Sequence, residues 1–164
     1  VMGGGPATPA LVRAVRERFG VPVVVRYSCT EAGIGLGTRP DDPPEDAEET
    51  VGRPQPGVEL QVVDDEVQLR SPAVMSGYHG NPAATADALT GDGFVRTGDL
   101  GSVDAAGRLR LHGRRSEMWV RGGYNVFPAE IEAVLAEHPR VRAVAAGPQP
   151  DDVMGEATTA AAAI

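Results

Sequence analysis

Two short segments carry the side chains best suited to chemistry: Thr97-Gly98-Asp99-Leu100 and Gly113-Arg114-Arg115-Ser116-Glu117-Met118. One carboxylate such as Asp99 can accept both hydroxyls of a ribose-like diol, and the planar fork of Arg114 suits phosphate or carboxylate. A Gly-Asp pair also commonly caps a turn, so Asp99 by itself is not diagnostic. Upstream, Tyr27-Ser28-Cys29-Thr30-Glu31 offers an aromatic face for a purine, a hydroxyl for a phosphate oxygen and a hard oxygen for Mg2+. The competing assignment is a core tyrosine beside a solvated Thr-Glu pair. Cys29 has no histidine near it in sequence and makes a poor nucleophile.

Charge and composition narrow the ligand classes. The formal net charge is −8, and all 15 basic residues are arginine without a long basic run, which argues against nucleic acid. A small phosphorylated ligand remains open, because backbone amides, one arginine and a metal ion are enough to hold it. Cys29 is the only cysteine, so no internal disulfide forms, which points to a reducing, cytoplasmic setting. His79, His112 and His138 each lack a neighbouring second ligand, which argues against zinc. No apolar run approaches the ~20 residues of a membrane span.

The elements that must position these residues follow from periodicity. Gly3-Gly4-Gly5-Pro6 reads as a turn ahead of a helix whose dipole favours an anion, although a plain strand-to-helix loop is equally consistent. Residues 9–19 form that helix, with Thr8 as N-cap, Gly20 as terminator, and Leu11, Val12, Val15 and Phe19 on one face. Val23-Val24-Val25 reads as a buried strand, which implies α/β layering and puts residues 27–31 at a strand end where ligands bind in open sheets. Gly33-Ile34-Gly35-Leu36-Gly37 opens no helix and is rejected as a dinucleotide loop; its glycines leave room for a bulky substrate or for close packing.

Residues 41–49 hold six carboxylates and read as a solvated, mobile loop rather than an acidic metal site. Antiparallel strands are expected over 51–71 around an Asp64-Asp65 turn, a short helix over 81–89, and a hairpin turn at 104–107. A second unit begins near Ser116: a strand at 118–120, a flexible joint at Gly122-Gly123, and a helix over 128–137 with Ile131, Val134 and Leu135 inward. A strand over 141–146 follows. Residues 157–164 read as a run of small residues that stops, leaving the second unit incomplete.

Taken in order, these signatures resemble the superfamily of acyl- and aryl-CoA synthetases, nonribosomal adenylation domains and firefly-type luciferases. Val51-Gly52-Arg53-Pro54 with Pro56-Gly57, Ser76-Gly77-Tyr78, Gly122-Gly123-Tyr124-Asn125-Val126 and Pro128-Ala129-Glu130-Ile131-Glu132 complete the set, which covers nearly the whole chain. The resemblance implies an α/β fold with α+β elements. Residues 1–115 would be the end of a large AMP-binding N-domain with a small β-subdomain, and 116–164 the beginning of a small mobile α+β C-terminal domain.

It also implies an ATP-dependent acid–thiol ligase: an acyl-adenylate forms first, then a CoA thioester. By the family pattern Gly4, Gly5, Pro6, Tyr27 and Ser28 would border ATP or AMP, with Tyr27 flanking the adenine and Thr30 on phosphate. Glu31 would hold Mg2+, Asp99 the ribose hydroxyls, and Arg114 the ribose and phosphate region. Thr30, Glu31 and Arg114 would be the catalytic set, and Gly122 and Gly123 would meet CoA. Ser116 stands at the hinge position, where Asp or Lys is usual, and Val120 where many relatives carry a lysine.

The family's phosphate loop would precede Val1 and its adenylation lysine would follow Ile164, so the chain as given is expected to be a fragment that adenylates poorly. The substrate implied is a small carboxylic acid of fatty or related type, consistent with fatty acid metabolism. The alternatives are an adenylation domain that loads a carrier protein, and a non-catalytic nucleotide-binding remnant.

Overall fold

The computed structural model describes residues 1–5 and 7–164. The chain folds as two compact units, Val1–Leu111 and His112–Ile164. In the first, α1 (Pro9–Phe19) begins where the Thr8 side chain accepts from the Leu11 amide at 3.3 Å and ends at Gly20 in the left-handed region. Only Val12 of its expected apolar face is fully buried, while Leu11 and Phe19 are exposed. Val23, Val24 and Val25 are buried as expected, but the strand is β1 (Arg26–Cys29). Val25 makes one isolated parallel bridge, to Met2, and an extended segment without a ladder partner is not a strand.

Strand β1 pairs antiparallel with β2 (Gly33–Gly37), and β2 pairs with the short β3 (Arg53–Pro54). The glycines of β2 serve close packing: a Cβ at Gly35 would meet the Leu69 side chain, and one at Gly37 the Arg26 guanidinium. Of the two uses these glycines allow, close packing is the one realised at Gly35 and Gly37.

The second sheet of this unit contains β4 (Glu59–Val63), β5 (Glu66–Arg70), β6 (Val95–Val103) and β7 (Leu109–Arg114), in that order. Asp64 and Asp65 both adopt positive φ, the tight β4–β5 turn that their short polar side chains favour. Tyr27, Ala32, Leu36, Val67, Leu69, Val95 and Leu109 form the buried cluster shared by the two sheets. A smaller cluster of Val12, Val23, Val25 and Ala47 seats α1.

The acidic run is not a solvated loop. Residues Pro44–Glu49 form a short helix, α2, with Ala47 buried and Asp46 only 3% exposed. Its charge repulsion is offset by arginines from distant segments. Arg13 and Arg16 pair with Glu48 at 2.8 and 2.6 Å, Arg110 with Glu49 at 2.6 Å, and Arg108 with Asp46. Arg53 reaches Asp42 at 3.3 Å. A buried carboxylate is tolerated only with such partners.

Helix α3 (Pro82–Ala88) starts at Asn81, whose side chain accepts from the Ala84 amide at 3.0 Å. The Asp104 turn leads into β7, whose last residues belong to the second unit. There β8 (Trp119–Arg121) and β9 (Tyr124–Val126) form a hairpin, and Gly122-Gly123 is its tight turn rather than a loose joint. Helix α4 (Pro128–Ala136) packs along β10 (Ala143–Asp151), and the Glu132 carboxylate accepts from the Ala146 amide at 2.9 Å. Val134 and Leu135, expected inward, are exposed. The small-residue run is strand β11 (Gly155–Ala163), paired with β10 along its whole length.

Candidate functional site

The Thr97-Gly98-Asp99 signature is a bulge in β6. Gln68 pairs with Arg96 and Glu66 with Leu100, so the intervening residues of β6 exceed those of β5 and must loop out. Each residue of the signature has a part in this. The Thr97 hydroxyl donates to the Val67 carbonyl at 2.7 Å and accepts from the Asp99 amide at 3.1 Å. Gly98 takes φ +71°, which residues with a Cβ rarely adopt, and its amide donates to Glu66 Oε1 at 3.1 Å. The result turns the Asp99 side chain inward, where it is 9% exposed.

There Asp99 meets Tyr27. The Tyr27 hydroxyl donates to Asp99 Oδ2 at 2.5 Å, across 72 residues of sequence. The Tyr27 ring belongs to the main buried cluster and is 8% exposed. Burial, and then the hydrogen bond to Asp99, push the Tyr27 hydroxyl far above its ordinary pKa. This shift favours the protonated hydroxyl, and so the donor, at neutral pH.

A second tyrosine–carboxylate pair lies nearby in sequence terms. The Tyr78 hydroxyl donates to Glu31 Oε1 at 2.8 Å, and this bond raises the Tyr78 pKa. The Glu31 carbonyl accepts from the Met75 amide at 2.8 Å, fixing the backbone as well. Ser76-Gly77-Tyr78 reaches this place because the Tyr78 amide donates to the Thr85 hydroxyl of α3 at 2.9 Å. The sequence marks Ser76-Gly77-Tyr78 only as a tyrosine beside two small residues, with no local signal for its partner. An open cleft of about 540 Å³ runs past Ser76, Gly77, Tyr78, Asn81, Thr85 and Leu89.

The remaining candidates are placed as follows. Gly4 and Gly5 are exposed, with open space where a Cβ would stand, and Pro6 lies outside the described residues. Ser28 and Thr30 are exposed, on β1 and in the turn after it. In the second unit, Arg114 ends β7 on the surface, and its carbonyl accepts from the Glu117 and Met118 amides at 3.1 and 3.2 Å. Ser116 is exposed within that turn. The Gly122 amide donates to the Met154 carbonyl at 3.1 Å.

Among the described residues no group of three His, Cys, Asp or Glu is arranged to hold a metal ion. Glu31 has one carboxylate oxygen engaged by the Tyr78 hydroxyl.

Cys29 is half-buried, and burial raises its thiol pKa. Alkylation of the native protein by iodoacetamide at pH 8 should accordingly run several-fold slower than that of a free thiol, and recover in denaturant. Equal rates in native and unfolded protein would remove the argument that this thiol is inert.

The two sheets, the bulged Asp99 and the motif order define an adenylate-forming architecture. The family model described as AMP-binding enzyme matches residues 1–79. The chain is 42% identical over 159 residues to the 3-[(3aS,4S,7aS)-7a-methyl-1,5-dioxo-octahydro-1H-inden-4-yl]propanoyl:CoA ligase of Mycobacterium tuberculosis, covering 95% of this chain and 31% of that protein. The structure of the amide bond synthetase McbA from Marinactinospora thermotolerans superposes with a TM-score of 0.87 at 42% identity, over 98% of this chain and 35% of that one. The o-succinylbenzoate CoA synthetase MenE of Bacillus subtilis, in complex with the acyl-adenylate intermediate OSB-AMP, gives a TM-score of 0.87 at 30% identity, over 98% and 35% of the respective chains. The chain belongs to the superfamily of AMP-binding, adenylate-forming enzymes. It spans about a third of the length of the relatives it matches. No helix is long and apolar enough to cross a membrane among the described residues.

Proposed function

We propose that this chain contributes the ribose and metal side of the ATP site in a carboxylic acid–CoA ligase, acting on a fatty or related acid in the cytoplasm. The observation that carries the reading is the pairing of Tyr27 with Asp99 and of Tyr78 with Glu31, which holds two motif carboxylates in fixed orientations within one unit. In such an enzyme the acid's carboxylate oxygen attacks the α-phosphorus of ATP; an acyl–phosphate bond forms and pyrophosphate leaves. The CoA thiolate then attacks the acyl carbon, and AMP leaves as the thioester forms.

Within this scheme Asp99 accepts from the ribose hydroxyls, and the exposed Thr30 hydroxyl donates to a phosphate oxygen. Arg114 supplies a guanidinium to the ribose and phosphate region, and Gly4 and Gly5 border the nucleotide. Glu31 would hold Mg2+, whose charge offsets that building up on the phosphates. Fixed donors and a fixed carboxylate suit such a displacement because they need no reorganisation as charge moves. Gly122-Gly123 forms a turn without bulky side chains that would admit the thin pantetheine arm of CoA. Ser116, in an exposed turn, would take the hinge position of the family pattern.

The similarity to an amide bond synthetase favours a second reading, in which an amine takes the place of the CoA thiol as acceptor. Titration calorimetry of the chain with AMP and with an acyl-sulfamoyl adenosine tests the nucleotide site; binding of both is expected, and absence of both removes it. Extended to the length of its relatives, the enzyme should consume free CoA thiol in the presence of acid and Mg-ATP. Amide formation with an added amine, without thiol loss, would favour the second reading.

A further inference from the structure

Arg26 and Gly37 are partners in the β1–β2 ladder, so the chain just before β1 and the chain just after β2 meet at one end of it. Residues 28–31 lie toward the other end, where the Cys29–Gly33 pair closes the turn. At the first end a cavity of about 300 Å³ is lined by residues of α1, α2 and the two connecting segments. That is the lower end of the roughly 300–1,000 Å³ usual for small-molecule pockets. Val21, Pro22, Val23, Pro40, Pro43 and Pro44 make its apolar wall. Proline has a fixed φ and no amide hydrogen, so the wall is stiff and offers a ligand few donors. It suits an apolar body.

The polar groups of the cavity select the head group. Arg16 is spent on Glu48 at 2.6 Å. Asp42 has both oxygens engaged, Oδ2 by the Arg39 amide at 2.8 Å and Oδ1 by the Arg53 guanidinium at 3.3 Å. Arg39 differs. Among the described residues it is the one arginine of the first unit whose guanidinium has no hydrogen bond, ion pair or ring partner. Thr38, only 1% exposed, accepts from the Val25 amide at 2.9 Å, and its own hydroxyl proton has no acceptor among the described residues. One uncommitted guanidinium and one uncommitted hydroxyl proton match a carboxylate. A dianion such as phosphate would bring a second charge beside Asp42, which repels it. We infer that this cavity binds a small monocarboxylate with an apolar body, its head on Arg39 and its chain along the proline wall. The inference stands apart from the nucleotide reading, because none of these residues belongs to that site.

Sodium hexanoate titrated into the 15N-labelled chain tests this. The amides of Val21, Val23, Thr38, Arg39 and Ala47 should shift together and saturate. Acetate has the head without the body, and 1-hexanol the body without the charge; each should bind at least about tenfold more weakly than hexanoate. Arg39 is exposed and its side chain supports no other residue, so Arg39→Ala should melt with its parent. It should weaken hexanoate binding about tenfold and leave 1-hexanol unchanged. Equal hexanoate affinity in Arg39→Ala, or the absence of a saturable shift, would overturn the proposal. Shifts centred on Ser28 to Ala32 would place the acid at the other end of the ladder and overturn it as well. Inorganic phosphate moving the same amides as strongly as hexanoate would overturn the choice of a monocarboxylate.

Discussion

Gly52→Ala should abolish the cooperative folding of the first unit or lower its stability by more than about 4 kcal/mol, a Tm shift of more than roughly 10 °C. Gly52 has φ +78°, and a Cβ there would overlap the Gly37 carbonyl carbon and oxygen and the Thr38 amide nitrogen. All three are backbone atoms, so no rotamer change relieves the overlap. The position is also a junction. The Gly52 carbonyl accepts from the Leu109 amide at 2.9 Å, and the Val51 amide donates to the Leu109 carbonyl at 2.9 Å. Leu109 packs in the same buried cluster as Tyr27, so moving this crossing should loosen the Tyr27–Asp99 pair as well. Gly91→Ala is the matched control, because Gly91 has open space around it and no positive φ. It should fall within about 0.5 kcal/mol of the parent. Thermal unfolding followed by circular dichroism decides the matter, and a Gly52→Ala protein melting with its parent would show that the two strands do not cross this closely.

The same crossing shows what could be read from sequence and what could not. Local signals were legible because their physics is local. Thr8 and Asn81 cap the helices that begin beside them, and Asp64-Asp65 makes the turn its side chains favour. The order of motifs was legible too, and it carried the family. Pairings set by distant residues were not. The acidic segment became α2 because arginines on α1, on β7 and just ahead of β7 sit opposite Glu48, Glu49 and Asp46, and nothing within residues 41–49 announces them. Strand β11 is built largely of alanine, whose weak strand preference is overridden by continuous pairing with β10. The glycines of β2 were legible as a demand for space, but only the fold shows that Leu69 and Arg26 fill it. In the site, Asp99, Glu31 and Tyr27 stood out by type and order. That each carboxylate has a tyrosine as its orienting donor depends on contacts across 72 and 47 residues.

Asp99→Ala should act on stability and on nucleotide binding at once, and Asp99→Asn should separate the two. Alanine leaves the Tyr27 hydroxyl buried without its acceptor, a cost of about 1–3 kcal/mol that appears as a lower Tm in the absence of nucleotide. It also removes the charged acceptor for the ribose hydroxyls. Hydrogen bonds to a charged group contribute about 1.5–3 kcal/mol each, so losing two imperfectly additive ones should weaken AMP binding by about 100-fold or more. Asparagine keeps an oxygen for Tyr27, so its Tm should stay close to that of the parent. It replaces the second carboxylate oxygen with an amide donor, which can serve one ribose hydroxyl only as a donor, so about a tenfold loss in affinity is expected. The diagnostic pattern is therefore a split: both variants bind AMP more weakly, and only alanine unfolds earlier. If alanine and asparagine melt together and bind AMP like the parent, Asp99 neither anchors Tyr27 nor meets the ribose. If they differ in Tm but not in affinity, the buried pair is a feature of the core alone, and the nucleotide must be held by other groups.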